Sequence, residues 1–244
     1  MHVRSTLKPF LAAAWLMLAP VMAVADQDWR EVQSRMGNEW RLIKQDRQRQ
    51  IRTYAKLEDN KSIRSFKVEG ILNTRMDTIA RVLLDFANYN KWYWEVMESR
   101  LLKESSPTDY HVYLVHRAPY GLPNRDVILH ATLELQSRER NFVVVKVKAD
   151  PDYMPEVPKL VRMPAEDMTI RFTPLPGQRV MIEAEGFIDP GGKVPSWDAN
   201  LIQRNAPYTV IMGFQRMVLR DEYRLNNTPI PFTVYDHEQL AARQ

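Results

Sequence analysis

Histidine, cysteine and carboxylate side chains most often carry catalysis or metal binding, and this sequence spaces them unfavourably for either role. There is no cysteine, which excludes thiol catalysis and cysteine-bound metals. Outside the N-terminal segment the histidines are His111, His116, His130 and His237. An odd number of positions separates His111 from His116 in a predicted strand, so their rings point to opposite faces. We therefore expect solvated or hydrogen-bonded histidines and no metal site.

Two carboxylates that could form an acid–base pair, Glu183 and Glu185, share one face of a predicted strand. Arg171 and Arg179 lie near them in sequence, which favours a charged, solvated outer face instead. The Gly-x-Ser-x-Gly and His-Glu-x-x-His motifs are absent. The sequence therefore predicts no catalytic residue.

The paired glycines Gly191 and Gly192, followed by Lys193, raise the question of phosphate binding. A P-loop needs a different spacing of glycine, lysine and serine or threonine, in a parallel βαβ unit. The dinucleotide-binding pattern is also absent. We expect these glycines to form a hinge where a strand leaves the sheet and reverses into a helix. No cofactor is expected.

The first 25 residues have the pattern of a secretory signal peptide. Arg4 and Lys8 precede an apolar stretch from Phe10 to Met22, and small residues follow up to Ala25. Cleavage near Ala25 would place the mature chain in the periplasm or outside the cell. An uncleaved membrane anchor is the alternative interpretation.

The mature chain would hold 219 residues, which suits one domain with a sizeable core. Its formal net charge falls from +4 to +2, because the removed segment contains Arg4 and Lys8 and no acidic residue. This balance does not indicate nucleic-acid binding. Basic residues cluster between Arg41 and Arg52, where they could contact a membrane or form a solvated helix end.

Alternating residues connected by turns predict a mainly antiparallel sheet. An amphipathic helix is predicted at 28–47, and another at 74–86 that Thr74 could cap. A proline-rich crossover is predicted between 150 and 164. The predicted strands cover 49–56, 63–69, 110–116, 126–136, 141–149, 167–172 and 179–188.

The most apolar helix follows the two glycines. Pro195 suits its first turn, and Pro207 is expected to kink or restart it. Apolar residues from Val210 to Val218 fall on one face, and Asn226 and Asn227 should end the helix. Residues 26–225 are thus predicted to form one α+β domain, and 226–244 a polar, loosely held tail.

Several short segments follow one another in a recognisable order: Trp40–Ile43, Ile51–Tyr54, Asp85–Trp92, Pro123–Asp126, Ala149–Pro155, Val161–Pro164, and Asp189–Trp197 with Asn200. In this order they resemble the START family, the lipid-transfer domains related to steroidogenic acute regulatory protein, and especially its bacterial secreted members. The resemblance extends from Trp40 to about Glu222. Asp198 departs from it, because the family usually has an apolar residue there, and this change could alter the lid.

The resemblance implies a helix-grip fold, in which a curved antiparallel sheet wraps around a long C-terminal helix and encloses an apolar cavity. It also implies that the cavity holds a lipid or sterol-like molecule without covalent chemistry, and that the C-terminal helix acts as a lid. Transient contact with a membrane surface would follow. We expect a monomer.

Polar anchors for such a ligand are sought at the start of a central strand. Arg125 and Asp126 are adjacent and point to opposite faces, so one could anchor a headgroup, or both could form structural ion pairs. The predicted ligand-binding residues are Tyr113, Arg117, Arg125, Asp126, Leu129, Ala131, Trp197, Val210, Ile211, Phe214 and Met217, with Gly191, Gly192 and Pro207 as the hinge. For the apolar members, ordinary core packing is an equally good interpretation.

Three functions are consistent with these features. The first is a protein that binds a phospholipid, fatty acid or sterol-like lipid and carries it in the cell envelope. The second is a cavity enzyme, a cyclase or hydrolase, with Tyr113, His130 and Glu134 as its acid–base groups. The third is an envelope interaction module with a solid core.

Overall fold

The computed structural model describes residues 39–57, 64–118, 121–192, 194 and 196–243, and only the backbone of 196–203. Within these residues, ten strands form one curved sheet that does not close. The strands are β1 Arg41–Asp46, β2 Ile51–Lys56, β3 Ser65–Leu72, β4 Val96–Ser106, β5 Asp109–His116, β6 Arg125–Glu134, β7 Val143–Ala149, β8 Val161–Arg162, β9 Ala165–Leu175 and β10 Arg179–Asp189. The helices are α1 Met76–Leu84, a 3-10 helix at Phe86–Lys91, α2 Ser196–Met217, α3 Asp221–Arg224 and α4 His237–Ala241.

The sheet is antiparallel along its whole length, in the order β1-β2-β3-β10-β9-β7-β6-β5-β4. The short strand β8 is the exception, because it pairs in parallel with the start of β6. Tight turns join neighbouring strands, as between β9 and β10, where Gly177 and Gln178 have positive φ angles. The predicted antiparallel helix-grip fold is confirmed.

The two faces of the central strands contribute to two different cores. Val127 and Leu129 of β6 belong to the main core, together with residues of α1 and α2. Ile128, between them, belongs to a second, smaller cluster with Tyr113 and Val115 of β5. Partly buried residues from the proline-rich crossover, such as Met154 and Leu160, cover that cluster. The inner face of the sheet therefore lies towards α2, and the crossover covers part of the outer face.

Close backbone approaches hold the C-terminal half of α2 against the inner face. A side chain at Gly213 would place its Cβ 2.6 Å from the carbonyl oxygen of Trp92, so only glycine allows this contact. A Cβ at Gly70 of β3 would lie 2.9 Å from a methyl group of Ile211. The Gln215 side chain also donates to the backbone carbonyl of Ile71 at 2.8 Å. This half of α2 is therefore packed tightly onto β3 and onto Trp92, which follows the 3-10 helix; we refer to residues 92–95, between that helix and β4, as the Trp92 segment.

The predicted helix at 28–47 is wrong over its described part, because Arg41–Asp46 forms strand β1. Residues 28–38 lie outside the described residues. A bulge between Leu42 and Lys44 shifts the register of β1 against β2, so the partly buried positions, Ile43 and Asp46, fall three apart. A spacing of three imitates the period of a helix, whereas a regular strand would alternate.

The predicted loosely held tail is in fact attached to the domain. The backbone N–H of Met76, at the start of α1, donates to the Asp236 carboxylate at 2.8 Å, so Asp236 and not Thr74 caps this helix. The backbone N–H of Tyr235 donates to the side chain of Gln136 at 2.7 Å. Val234 packs against the main core. Residues 232–236 therefore cover the end of the fold near α1.

Helix α2 is continuous through Pro207 and ends at Met217, so it neither restarts at the proline nor reaches Asn226. A proline removes one backbone hydrogen bond from a helix. The helix continues past this position, and Ala206 and Ile211 on either side of Pro207 are both buried. None of the helices among the described residues is long and apolar enough to span a membrane.

Candidate functional site

Two adjoining cavities lie between the inner face of the sheet and the helices. The first has a volume of about 150 Å³ and reaches the loop after β10 and the middle of α2. The second has a volume of about 100 Å³ and lies between α1 and strands β5, β6, β7 and β9. Both are lined mostly by apolar side chains, and both have these residues in their walls: Leu83, Trp92, Tyr93, Met168, Ile170 and Phe172.

Arg125 is a buried cation in the wall of the first cavity, only 6% exposed. One guanidinium nitrogen donates to the carbonyl oxygen of Pro123 at 2.5 Å, and its Nε is buried without a partner. Burial lowers the pKa of Arg125, and among the described residues no carboxylate forms an ion pair with it. An unpaired buried guanidinium is unfavourable unless a ligand provides the anion.

His116 lies directly across from Arg125, as its register partner on β5, and also lines the first cavity. Its Nδ1 is 3.0 Å from the carbonyl oxygen of Trp94. A carbonyl oxygen only accepts, so Nδ1 carries the proton and Nε2 is a bare acceptor. Burial lowers the pKa of His116 to about 4, so the ring is neutral at physiological pH. Its Nε2 is buried and has no hydrogen-bond partner.

Glu166 of β9 is a third group in this wall with a buried polar atom that has no partner, and it is 1% exposed. The hydroxyl of Tyr93 donates to its Oε1 at 2.9 Å, while its Oε2 is buried without a partner. Burial raises the pKa of Glu166 to about 7, against the opposing effect of the Tyr93 hydrogen bond. Burial, and then the charge of Glu166, raise the pKa of Tyr93.

Tyr93 contacts both His116 and Glu166. Its ring packs edge-on against the ring of His116, with 6.0 Å between centroids, while its hydroxyl reaches Glu166. We refer to Tyr93, His116, Arg125 and Glu166 as the polar cluster. It gives an otherwise apolar cavity one hydrogen-bonding end.

Most of the predicted ligand-binding residues lie on cavity walls. Arg117 and Arg125 line the first cavity, as do residues on one face of α2: Pro207, Val210, Ile211 and Phe214. Leu129 and Ala131 line the second cavity. Their contact with a ligand stays a prediction.

Tyr113 and Asp126 lie on the other side of the sheet and line neither of these two cavities. Tyr113 belongs to the small cluster under the crossover. Asp126 accepts from Arg162 at 2.9 Å, and both side chains are at most 5% exposed. Of the adjacent pair, Arg125 therefore faces the cavity and Asp126 forms a structural ion pair.

The remaining predicted residues are placed as follows. Met217 is buried in the main core and does not line either cavity. Trp197 lies in the part of α2 where only the backbone is described. Gly191 and Gly192 both have positive φ angles, near 65°, in the loop beside the first cavity. Lys193 and Pro195 lie outside the described residues. The hinge stays a prediction.

The three residues considered for acid–base catalysis do not form one site. His130 contacts Asp109 at 3.1 Å, whereas Glu134 pairs with Arg140 and Lys146. His111 and His130 are cross-strand partners whose rings stack at 4.4 Å, which the comparison of His111 with His116 alone could not show. Asp109, His111 and His130 place potential metal ligands within 4.8 Å of one another. His130 contacts Asp109 and stacks on His111, and these contacts bring the three side chains together.

Sequence reasoning missed Tyr93, His116 and Glu166 as cavity residues. The sequence did contain an indication for Glu166, because it alternates with Met168 and Ile170 and so lies on the same apolar face of β9. The predicted strand began two residues too late, at Asp167 instead of Ala165, so that Glu166 was left outside it.

No protein-family model matches the chain. An uncharacterised protein of Pseudomonas aeruginosa is 27% identical over 183 residues, which is 74% of this chain and 87% of that protein. The bovine phosphatidylcholine transfer protein is 24% identical over 175 residues, which is 69% of this chain and 79% of that protein.

Solved structures decide the family. A STAR-related lipid transfer protein fragment from Xanthomonas axonopodis superimposes with a TM-score of 0.68 and 28% identity, over 74% of this chain and 99% of that fragment. The chain contains a START domain. Human STARD10 has the same fold, with a TM-score of 0.61 and 21% identity over 81% of this chain and 80% of that one. In this START domain the first cavity lies between the sheet and α2, the second lies between the sheet and α1, and the polar cluster lies in the wall of the first.

Proposed function

We propose that this START domain binds one lipid, with hydrocarbon in the two adjoining cavities and the polar group at Arg125, and carries it through the cell envelope. The observation that carries the proposal is a buried, unpaired guanidinium in the wall of an apolar cavity. A lipid with an anionic headgroup matches both features. The bovine relative, a phosphatidylcholine transfer protein, supports a phosphate-containing ligand.

The hydrocarbon provides affinity relative to water but little relative to a membrane. Burying each CH₂ group contributes about 0.8 kcal/mol, so one acyl chain contributes on the order of 10 kcal/mol. A bilayer offers nearly the same gain. Exchange between membrane and protein is therefore limited by opening the cavity, and selection between lipids depends on the headgroup.

Helix α2 is the proposed lid. Its C-terminal half is packed against Trp92 and β3, while its N-terminal end follows the loop at Gly191 and Gly192. Pro207 lies between these two parts, in the wall of the first cavity. A swing of the N-terminal half about Pro207 would open that cavity and leave the packed half in place. The signal-like N-terminal segment supports carriage in the periplasm or outside the cell.

Lipid extraction tests this function. Protein purified from cells that express the full chain is examined by native mass spectrometry, and its uptake of fluorescent phosphatidylglycerol from phosphatidylcholine vesicles is measured. We expect about one bound lipid per chain, and at least tenfold weaker uptake by Arg125→Gln, which removes a desolvated charge contact. Arg224→Gln, at an exposed arginine on α3, is the matched control and should transfer like the wild type. Protein that is empty and also fails to take up lipid would contradict the proposal.

A cavity enzyme is the second candidate, and one observation favours it. Glu166, with a pKa of about 7 in an apolar cavity, could act as a general acid or base. Incubating the protein with the lipid that co-purifies with it distinguishes the two functions. Stoichiometric recovery of unchanged lipid supports a carrier, whereas conversion that Glu166→Gln abolishes supports an enzyme.

A further inference from the structure

The unpaired atoms of the polar cluster point to a headgroup more specific than a phosphate. We infer that Glu166 and His116 bind a free hydroxyl group of the lipid headgroup, next to the anion bound at Arg125. This inference rests on the proposed function and adds a substrate class to it: acidic glycerolipids with a hydroxylated headgroup.

The unpartnered atoms of His116 and Glu166 match the hydrogen-bonding groups of one hydroxyl. His116 Nε2 is a buried acceptor without a donor, because Nδ1 holds the proton that faces the Trp94 carbonyl. Glu166 Oε2 is buried and unpartnered, and in the protonated acid one carboxyl oxygen is a donor. A hydroxyl group has one donor and two acceptor positions, so it can satisfy both atoms at once. An ether or alkyl group would leave His116 Nε2 unpaired.

The hydroxyl-binding residue His116 lies next to the anion-binding Arg125. His116 and Arg125 are register partners on neighbouring strands, and both line the first cavity. Side chains of such a pair start about 5 Å apart. Tyr93 contacts both His116 and Glu166, so Glu166 lies in the same part of the cavity wall as His116, the register partner of Arg125. In a glycerol headgroup the free hydroxyls are likewise only a few bonds from the phosphate.

Both unpartnered atoms, His116 Nε2 and Glu166 Oε2, are buried. A polar atom that is desolvated and left without a partner destabilises the complex that contains it. A pocket that hydrogen-bonds a hydroxyl therefore rejects analogues that lack it far more strongly than an apolar pocket rejects a changed alkyl group. Glu95 and Arg117 also line this cavity, but the shifted pKa values of Glu166 and His116 have burial, and not these charges, as their main cause.

Two lipids of equal charge test the inference. Phosphatidylglycerol and phosphatidylethanol each carry one phosphodiester charge, and only the first has headgroup hydroxyls. The purified full-length protein is offered each fluorescent lipid in phosphatidylcholine vesicles, and the uptake affinities are compared. We expect the wild type to prefer phosphatidylglycerol by at least about tenfold.

Variants assign that preference to the two residues. Glu166→Leu and His116→Phe should reduce the preference to near unity, whereas Glu166→Gln, which keeps a donor and an acceptor, should retain most of it. His111→Phe, on the outer face of the same strand, is the matched control for His116→Phe and should leave the preference intact.

Each outcome separates the two proposals. Equal uptake of both lipids by the wild type overturns the hydroxyl subsite and leaves lipid carriage standing. A preference that survives both Glu166→Leu and His116→Phe, in variants whose circular dichroism matches the wild type, also overturns it. If neither lipid enters the wild-type protein, both proposals fail.

Discussion

The hydroxyl of Tyr208 donates to the carboxylate of Asp46 at 2.7 Å and so joins the middle of α2 to the end of β1. The Lys44 ammonium group lies 3.3 Å from the centre of the same ring. Tyr208 directly follows Pro207, the predicted pivot of the lid. The bond therefore lies where movement of the N-terminal half of α2 would begin.

We expect Tyr208→Phe to speed lipid exchange several-fold, because the variant keeps the ring over Lys44 and loses only the bond to Asp46. Stopped-flow transfer of a fluorescent lipid between vesicles measures the rate. Tyr54→Phe removes a hydroxyl that contacts Glu69 on β3, away from α2, and is the matched control. An unchanged rate in Tyr208→Phe would show that this bond does not restrain the lid.

The approach of α2 to Trp92 leads to a prediction on stability. A methyl group at Gly213 would lie 2.6 Å from the Trp92 carbonyl oxygen, so helix and loop must separate in Gly213→Ala. Such overpacking destabilises a core by about 1–3 kcal/mol. Urea unfolding measures this loss, and Arg216→Ala, at the exposed next-turn position of α2, should change stability by less than about 0.5 kcal/mol. Equal stability of both variants would contradict the tight packing.

Glu166 makes stability fall as pH rises. Its pKa is about 7 in the fold and 4.5 as an ordinary glutamate, so the folded protein keeps a proton that the unfolded chain has lost between these values. Stability therefore decreases from about pH 4.5 to about pH 7, by roughly 3 kcal/mol in all. Glu166→Gln removes this loss and should gain on the wild type across the same window in urea titrations.

His116 has the opposite effect over nearly the same range. Its pKa is about 4 in the fold against 6.5 for ordinary histidine, so stability falls as pH decreases from about 6.5 to about 4. In the wild type the two dependences partly cancel, and the single variants reveal them. His116→Gln should gain on the wild type as pH falls, while Glu166→Gln gains as pH rises. Variant and wild-type curves that run parallel would contradict the burial of these groups.

Neighbouring residues Arg125 and Asp126 should respond differently to substitution. Asp126 and Arg162 form a buried ion pair, and Arg162 also donates to the carbonyl oxygens of Pro151 and Met154 in the crossover. Arg162→Ala leaves a buried charge unpaired, and we expect a loss of about 3–5 kcal/mol in unfolding experiments. Arg125→Gln should change stability little and lipid uptake strongly. A comparable loss of stability in both variants would assign Arg125 a structural role.

The C-terminal segment should stabilise α1. Asp236 accepts from the first N–H of that helix, and loss of such a cap is typically worth about 1 kcal/mol. Asp236→Ala should therefore raise amide hydrogen exchange in Met76–Leu84. Thr233→Ala, at an exposed position in the same segment, is the control. Unchanged exchange in Asp236→Ala would show that α1 is held by its packing alone.

Much of the sheet could be predicted from the sequence, because alternation and turn residues are local signals. Strands β5, β6, β7 and β10 begin and end within about two residues of their predicted positions. The apolar face of α2 from Val210 to Phe214 was predicted in the same way, and it lies in the cavity wall. The resemblance to the START family supplied the fold, which the structure confirms.

Strand β1 and the C-terminal segment were not predictable in this way. The helix at 28–47 was predicted from apolar residues three or four apart, and Ile43 is the one of them that lies in β1: Trp29, Val32, Met36, Trp40 and Ile43. Within β1 the bulge disrupts the alternation that would have identified a strand. The polar residues after Asn226 looked unattached, because their partners, such as Gln136 and the N-terminus of α1, lie far away in sequence.

The sequence alone determined that Arg125 and Asp126 face opposite sides of a strand, since strand geometry requires it. Only the tertiary structure decided which of them faces the cavity. The crossover covers one side of β6 and provides Arg162 for Asp126, whereas α2 and the Trp92 segment leave an unfilled space on the other side. Alternation is a property of the local backbone, but burial and pairing depend on segments that only the fold brings together.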